Sequence, residues 1–353
     1  MLNHASRLPN INVHYGCAFS KVDMGRRAAT FERGNGDTME REYDMLVGAD
    51  GVNSRVRKCL EENVPNFTVR QQEDELEFKT ISFPVMGMEG ADESWKTRFH
   101  TCIAKIGSMV GSAAPYGDMT CAVILREEGE SKSTFDAVMK TTKDVRDFFG
   151  THFPFSFGPQ GPSEEVSKEF LERRPQRLLS TYCSSLSHGN IVLIGDSAHS
   201  MYASLGQGVN SALEDCKVFA QVLESAAEGK APSDQAAAVD VPAVLAAYNE
   251  RRLEDALAVV KLSARRMGGY RRSSISYVGT MTVTMALHKT LGRLAPKVFP
   301  KPTLFEVAGT DMTYGEVWRG SKREAAVASG LLFSTVAFVA AIAARVLRRS
   351  FVI

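Results

Sequence analysis

The chain has 353 residues, of which 44% are hydrophobic and 24% charged, as in a folded globular protein of one or two domains. Its net charge of +1 excludes the strong field that would draw it to nucleic acid or to an acidic partner. Six cysteines without a CxxC pair indicate reduced thiols facing the cytosol rather than a secreted disulfide framework. The first residues, Met1 to His4, lack the order of a signal peptide.

The first part of the chain is predicted to form strands, turns and one helix. Alternation at Ile11–Tyr15 and around Ala29–Glu32 predicts strands, and Gly34–Asp37 is typical of a hairpin turn. Tyr43–Gly51 has the pattern of a buried parallel strand that runs into a glycine turn. A helix is predicted to begin near Ser54, which can cap it.

Residues from about 75 to 185 are predicted to form a separate antiparallel unit. Phe135–Phe149 has helical periodicity and is predicted to end before Gly150. Strand-like pieces precede this helix at Leu76–Val85, Arg98–Ile106, Ser108–Ala114 and Met119–Arg126.

The later part of the chain returns to alternating strands and helices. Asn190–Asp196 predicts a short buried strand, and a glycine-rich turn at Gly206–Gly208 opens a helix over about Val209–Ala227. An alanine-rich linker over 231–240 precedes predicted helices over about 242–267 and 281–291. Parallel strands alternating with helices, interrupted by an antiparallel sheet and followed by C-terminal helices, predict an α/β fold.

The first motif with chemical content is Leu193–His199, followed by Gly206, Gln207, Gly208, Val209 and Asn210. Asp196, at the end of a buried strand, can accept hydrogen bonds from polyol hydroxyls, and Gly195 permits the sharp turn before it. The later glycines let backbone approach a flat ring, towards which the following helix points its N–H groups and positive dipole end. The alternative is a plain strand–turn–helix in which the aspartate caps the helix.

The second motif runs from Val47 to Arg57 and contains Asp50 and Gly51. The glycine permits a tight turn after the strand, and Arg57 adds positive charge that could lie near a phosphate. In isolation an Asp-Gly pair is more simply a turn. Its order and distance relative to the first motif favour a functional interpretation.

Both motifs resemble those of the class A FAD-dependent aromatic monooxygenases. The resemblance implies a glutathione-reductase-like FAD-binding domain in which Asp196 binds the ribityl chain and Gly208–Asn210 lie along the isoalloxazine. It further implies that the Asp50–Gly51 motif contacts FAD and is linked to NADPH use. The implied activity is hydroxylation of an aromatic substrate with O2, through a flavin C4a-hydroperoxide. Neither metal nor nucleic acid is expected as a partner, and His199, Glu214 and Asp215 are expected to be structural.

Several stretches resemble the kynurenine 3-monooxygenase branch of this family: Asp144–Phe149, Cys183–Ser185, Gly206–Cys216, Pro302–Phe305 and Thr313–Glu316. Departures from that branch concern the substrate pocket. Ala203 stands where the family has a proline, Arg266 aligns near a substrate-binding asparagine, and Phe305 aligns near a substrate-binding tyrosine. With Tyr314, these are the candidate substrate-binding residues. A lipophilic substrate for a flavin epoxidase or hydroxylase is the alternative within enzymes.

The beginning of the chain departs further from the family. Residues 1–40 contain no strand–GxGxxG–helix pattern for the ADP half of FAD. We therefore expect that roughly the first hundred residues of the family are missing, through a truncated gene model or an alternative start, and that the chain alone binds FAD poorly. A non-catalytic, membrane-tethered remnant is the alternative from another functional class.

The resemblance and the composition together predict five segments. They are a partial FAD-binding domain at 1–74, a substrate domain at 75–185, the Gly-Asp motif and its helix at 186–230, a helical region at 241–318 and a transmembrane tail helix at 325–344. Ala325–Ala344 lacks charge over about 20 residues, the length that spans a bilayer. A buried or lipid-surface helix is the alternative. The resemblance implies attachment to the mitochondrial outer membrane, with the catalytic part in the cytosol.

Overall fold

In the computed structural model, the described residues are 7–84, 99–104, 107–113, 118–125, 135–227, 239–271, 285–286, 288–292, 307 and 311–323. They belong to two compact units. The first unit comprises the chain up to Gln71 together with the chain from Ser180 onwards, and the second comprises Gln72–Leu179. The second unit is therefore an insertion between two parts of the first.

The first unit is built around a pair of parallel strands, β4 (Leu46–Gly48) and β11 (Ile191–Leu193), with Val47 opposite Val192. All three residues of β11 are buried. A Cβ on Gly48 would lie 2.8 Å from a methyl carbon of Leu193, so this strand end requires glycine. The short strand β10 (Ser187–His188) pairs with β11 from the other side, antiparallel. Both predicted strands, and with them the α/β fold, are confirmed. The predicted burial holds for β11, whereas in β4 only Gly48 is buried and Val47 is 43% exposed.

A three-stranded antiparallel meander precedes this sheet, formed by β1 (Cys17–Asp23), β2 (Ala28–Arg33) and β3 (Thr38–Glu42). The predicted hairpin turn lies between β2 and β3, where Gly36 adopts a φ of 88°. The strand predicted at Ile11–Tyr15 is wrong. Those residues are irregular and their side chains are exposed, because alternation alone supplies no partner strand.

The described part of the first unit also contains the helices α1 (Arg55–Asn63), α6 (Asp196–His199), α7 (Gly208–Ala227) and α8 (Val241–Arg271). Ser54 caps α1 as predicted, since its side chain accepts a hydrogen bond from the Arg57 N–H. Residues 314–323 are also helical. The predicted helix at 281–291 is described only at 285–286 and 288–291, which are helical.

The second unit holds most of a five-stranded sheet of order β6-β7-β8-β5-β9. Its strands are β5 (Val69–Pro84), β6 (Phe99–Ile103), β7 (Gly107–Ala113), β8 (Asp118–Leu125) and β9 (Gln176–Cys183). The pairings of β6 with β7, of β7 with β8 and of β5 with β8 are antiparallel, which confirms the predicted antiparallel strands.

Four helices pack in the described part of the second unit: α2 (Phe135–Val138), α3 (Thr142–His152), α4 (Pro154–Phe157) and α5 (Glu164–Glu172). The single helix predicted over Phe135–Phe149 is therefore wrong. Thr141 and Asp144 form a capping box that starts a new helix after α2. Phenylalanines dominate the core beneath these helices, and Phe149 packs edge-on against Phe157 and Phe170.

The predicted transmembrane segment at 325–344 lies outside the described residues. Among the helices that the structure describes, none combines the length and apolar character that crossing a bilayer requires.

Candidate functional site

The Gly-Asp motif forms a sharp turn at the end of β11. Gly195 has a φ of 63°, a conformation that favours glycine, and Asp196 begins the one-turn helix α6. The Gly195 N–H donates a hydrogen bond of 2.7 Å to Asp215 Oδ2 on α7. An added Cβ on Gly195 would lie 3.2 Å from Ala212 Cβ, so the turn rests closely against α7. Asp196 itself is exposed, and its carboxylate is available to a ligand.

Beneath this turn lies a buried ionic network centred on Asp215, which is fully buried. Its Oδ2 also lies 2.7 Å from His199 Nε2, and its Oδ1 accepts a hydrogen bond of 2.6 Å from Arg252 Nε. Burial alone would raise the pKa of Asp215, but the His199 hydrogen bond and the Arg252 charge more than offset it, so the pKa lies below its ordinary value. The network holds Asp215 ionised under the Gly195 turn.

Arg252 joins α8 to the first turns of α7. Its Nη2 donates to both the hydroxyl and the carbonyl oxygen of Ser211, at 2.9 and 3.1 Å. Structural roles are predicted for His199 and Asp215, and their buried contact agrees with this prediction. No local sequence pattern indicates Arg252, because its partner lies 37 residues away.

The glycine-rich turn leads directly into α7. A short 3-10 helix, Ala203–Leu205, ends at Gly206 with a left-handed φ of 64°. The first helical hydrogen bond is 2.8 Å from the Ser211 N–H to the Gln207 carbonyl. The N–H groups of the three residues before Ser211 therefore precede the helical ladder and lie at the positive end of the helix dipole. This arrangement suits a ligand with negative charge.

The surface around this helix start is open. Val209 is 71% exposed, and Asn210 and Gly206 are also exposed. A Cβ added to Gly208 would meet nothing within 4 Å. Glycine at this position is therefore not required by packing among the described residues, and it leaves the backbone accessible to a flat ligand.

Gln207 lies under the turn and is largely buried. Its side-chain oxygen accepts hydrogen bonds of 3.1 Å from Asn210 Nδ2 and 3.2 Å from the Tyr314 hydroxyl. Tyr314 is also buried. Its contact is therefore with the glycine-rich turn, and the predicted role of Tyr314 in a substrate pocket stays a prediction.

The Asp-Gly motif meets the Gly-Asp motif through buried hydrogen bonds. Ser197 donates to the Gly48 carbonyl at 2.5 Å, and Arg57 Nη1 donates to the Ser197 carbonyl at 2.7 Å. Arg57 Nη2 donates to the Val52 carbonyl at 2.8 Å. Two backbone carbonyls thus occupy the terminal nitrogens of this buried guanidinium, and contact with a phosphate stays a prediction for Arg57.

Asp50 is engaged locally. Its carboxylate accepts hydrogen bonds from the Ser54 hydroxyl at 2.5 Å and from the Arg55 N–H at 2.7 Å, at the start of α1. Gly51 beside it has a φ of 81°. The motif thus builds the strand-to-helix turn, and its predicted contact with FAD stays a prediction.

The remaining candidate residues are Ala203, Arg266 and Phe305. Ala203 is exposed at the start of the 3-10 helix. Arg266 belongs to α8, but its side chain lies outside the described residues, as does the whole of Phe305. Within the part of the chain that the structure describes, no group of three His, Cys, Asp or Glu side chains is arranged to hold a metal ion.

The sequence of the chain is similar to those of known proteins. Residues 1–263 match the family described as FAD binding domain. A kynurenine 3-monooxygenase of Phaeosphaeria nodorum is 26% identical over 342 residues, covering 94% of this chain and 66% of that protein. A kynurenine 3-monooxygenase of Legionella pneumophila is 29% identical over 227 residues, covering 64% of this chain and 48% of that protein.

Solved structures share the fold. The tetrameric form of 2-methyl-3-hydroxypyridine-5-carboxylic acid oxygenase has a TM-score of 0.57 and 19% identity, over 77% of this chain and 65% of that chain. The chain spans 66% and 48% of the length of the two curated relatives named above. With a family match over residues 1–263 and the two motifs joined in one unit, the chain belongs to the FAD-binding-domain family of class A FAD-dependent aromatic monooxygenases.

Proposed function

We propose that the chain carries the ribityl and isoalloxazine part of the FAD site of an aromatic-ring monooxygenase that uses NAD(P)H and O2. The observation that carries the proposal is the pairing of an exposed carboxylate at Asp196 with an open, glycine-lined helix start at Gly206–Asn210. The hydrogen bond from the Gly195 N–H to Asp215 joins the turn that carries Asp196 to the helix α7.

The residues present fit this part of the cofactor. Asp196 would accept hydrogen bonds from ribityl hydroxyls, since its side chain is exposed and no backbone amide occupies it in the described part of the chain. Gly208, Val209 and Asn210 would lie along the ring, which can approach the backbone closely at Gly208 because this residue carries no Cβ. FAD, when bound, would supply the hydride acceptance and oxygen activation that amino-acid side chains lack.

The chain itself would bind, orient and stabilise charge. The N–H groups that precede the first helical bond of α7 would stabilise negative charge on the ring edge, helped by the dipole of a 20-residue helix. The buried Asp215–Arg252 pair would hold α7 and the turn that carries Asp196 in fixed positions relative to each other. Preorganised donors of this kind need little reorganisation during the reaction.

An aromatic substrate is proposed because the relatives are named kynurenine 3-monooxygenases. NADPH as reductant follows from the same likeness. Arg266 and Phe305 align near positions at which the kynurenine 3-monooxygenase branch has a substrate-binding asparagine and tyrosine. The proposal therefore includes aromatic substrates that differ from kynurenine in charge or in hydrogen-bonding groups.

The first test is flavin binding. Titration of FAD with the chain should quench flavin fluorescence, with the low affinity expected where residues 1–40 contain no GxGxxG motif for the ADP half. Asp196→Ala should weaken this binding by about a further tenfold or more, since a hydrogen bond to a charged group is lost. Glu224→Ala on the exposed side of the same helix α7 is the control and should bind as the wild type does. Equal binding by wild type and Asp196→Ala would contradict the ribityl assignment.

The second test is turnover. NADPH oxidation by the FAD-loaded chain is measured with kynurenine and a panel of phenols, and products are analysed for an added hydroxyl oxygen from O2. Stimulated oxidation with a hydroxylated product supports the proposal. Bound flavin without stimulation by any of these aromatics would contradict the hydroxylase assignment.

Membrane attachment through residues 325–344 is also proposed, from the uncharged length of that segment and its basic flanks. Alkaline carbonate extraction of membranes from cells expressing the whole chain tests it. The full chain should stay with the membrane, while a chain ending at residue 323 should be released.

A further inference from the structure

Tyr314 brings the last described helix into contact with the glycine-rich turn. Its hydroxyl lies 3.2 Å from the side-chain oxygen of Gln207, which also accepts a hydrogen bond from Asn210. The Gln207 backbone carbonyl in turn accepts the first helical bond of α7. One residue thus links helix 314–323 to the beginning of α7, although 107 positions separate Tyr314 from Gln207.

We propose that Tyr314 is a positioning residue for the flavin site: its hydroxyl holds Gln207 and thereby fixes the Gly206–Gly208 turn and the first turn of α7. The expected effect on flavin rests on the proposed function. The restraint of the Gly206–Gly208 turn by Tyr314 does not, because it follows from contacts within the chain. Tyr314 does not touch the ring in this account; it acts through Gln207.

The position of Tyr314 is itself well restrained. It follows Thr313, whose hydroxyl accepts a hydrogen bond from the Glu316 N–H, while Glu316 accepts one from the Thr313 N–H, as in a capping box. The Gly315 N–H donates to Asp255 on α8 at 2.8 Å. Because these hydrogen bonds fix the beginning of helix 314–323, the Tyr314 side chain can restrain the Gly206–Gly208 turn.

The chemistry of the contact is also favourable. Burial raises the pKa of Tyr314 to about 12, so its hydroxyl remains protonated at neutral pH and donates to the Gln207 amide oxygen. The Arg252 guanidinium lies 5.7 Å from the centre of the Tyr314 ring, within cation–π range. Tyr314 therefore also packs beside the ionic network that supports the Gly195 turn.

The consequence for flavin concerns its reduced state. A reduced flavin carries negative charge at the ring edge that the α7 amides would stabilise, so loosening the first turn of α7 weakens binding of the reduced form more than the oxidised form. A length of 3.2 Å is long for a bond between a hydroxyl and an oxygen. We therefore expect a modest effect, about threefold, from removing this hydroxyl.

The test begins without flavin. Tyr314→Phe removes only the hydroxyl, and Tyr248→Phe is the matched control, because Tyr248 is a fully buried tyrosine of the same unit whose hydroxyl has no hydrogen-bond partner among the described residues. Hydrogen exchange of the peptide covering residues 203–213 should be faster in Tyr314→Phe and unchanged in Tyr248→Phe. Equal exchange in both variants would overturn the restraint.

Flavin binding then tests the role in the site. The midpoint potential of bound FAD should become more negative in Tyr314→Phe, and the ratio of reduced to oxidised affinity should fall about threefold. In a Gln207→Met background, Tyr314→Phe should have no further effect, because Tyr314 acts through Gln207. Faster exchange with an unchanged potential, or equal effects in both backgrounds, would overturn the positioning role. A wild-type chain that binds no flavin would contradict the proposed function and the flavin part of this inference, while hydrogen exchange would still decide the restraint.

Discussion

The guanidinium of Arg252 is fully buried between α7 and α8, where it pairs with Asp215. Arg252→Met keeps most of the apolar stem but leaves the Asp215 carboxylate buried with no guanidinium beside it. Breaking a buried pair in this way costs about 3–5 kcal/mol, because the remaining charge cannot be rehydrated. We expect the free energy of unfolding of the first unit to fall by about that amount, measured by urea unfolding followed by circular dichroism.

The matched control is Arg319→Met. Arg319 pairs with Glu254, and both side chains are more than half exposed. Loss of such a surface pair costs about 0–1 kcal/mol. A second variant separates charge from packing: Arg252→Met combined with Asp215→Asn removes both charges and should be more stable than Arg252→Met alone. The reasoning is refuted if Arg252→Met and Arg319→Met lose similar stability, or if the double variant is the less stable of the two.

Three further predictions concern packing, thiol reactivity and pH. Gly161→Ala should destabilise the second unit by more than about 3 kcal/mol, because its added Cβ would overlap a backbone carbonyl of α3. Gly158 has a similar positive φ but open space around it, so Gly158→Ala should cost about 1 kcal/mol. Similar losses of stability for the two variants in thermal unfolding would contradict this prediction. Iodoacetamide at pH 8 should modify the exposed Cys216 and spare Cys121, whose pKa burial raises to about 12, and Cys216→Ser should remove the fast phase seen by mass spectrometry. Because the folded-state pKa of Asp215 is lowered, its stabilisation is complete above the unfolded value of about 3.9 and is lost as pH falls below it. The stability gap between wild type and Asp215→Asn should therefore narrow as pH falls below about 4; a gap that widens with acid over this range would contradict the sign.

The sequence predicted those elements whose signals are local. The strands β4 and β11 are marked by apolar runs that lead to a glycine, and the glycines at Gly206 and Gly208 indicate the turn before α7. Helical periodicity does not reveal the break between α2 and α3, because the apolar spacing continues across it. The signal that marks the break is the capping box of Thr141 and Asp144.

The support beneath the candidate site could not be predicted in the same way. The contacts of Arg252 with Asp215 and of Tyr314 with Gln207 join residues 37 and 107 positions apart, and only the packed fold brings them together. The alternation at Ile11–Tyr15 shows the converse case. A local pattern was present there, but no strand pairs with it among the described residues, and the segment stays irregular.

The central claim is that the turn and helix start at Gly206–Asn210 hold a flavin ring against exposed backbone. Gly208→Ala tests it most directly, because the added methyl meets nothing within 4 Å in the protein and its φ is not in the left-handed region. Thermal stability should stay the same or rise, while affinity for FAD should fall about tenfold or more as the methyl occupies the ring's place. Gly34→Ala, equally open but on the hairpin, should bind FAD as the wild type does. Unchanged FAD affinity in Gly208→Ala would contradict the account.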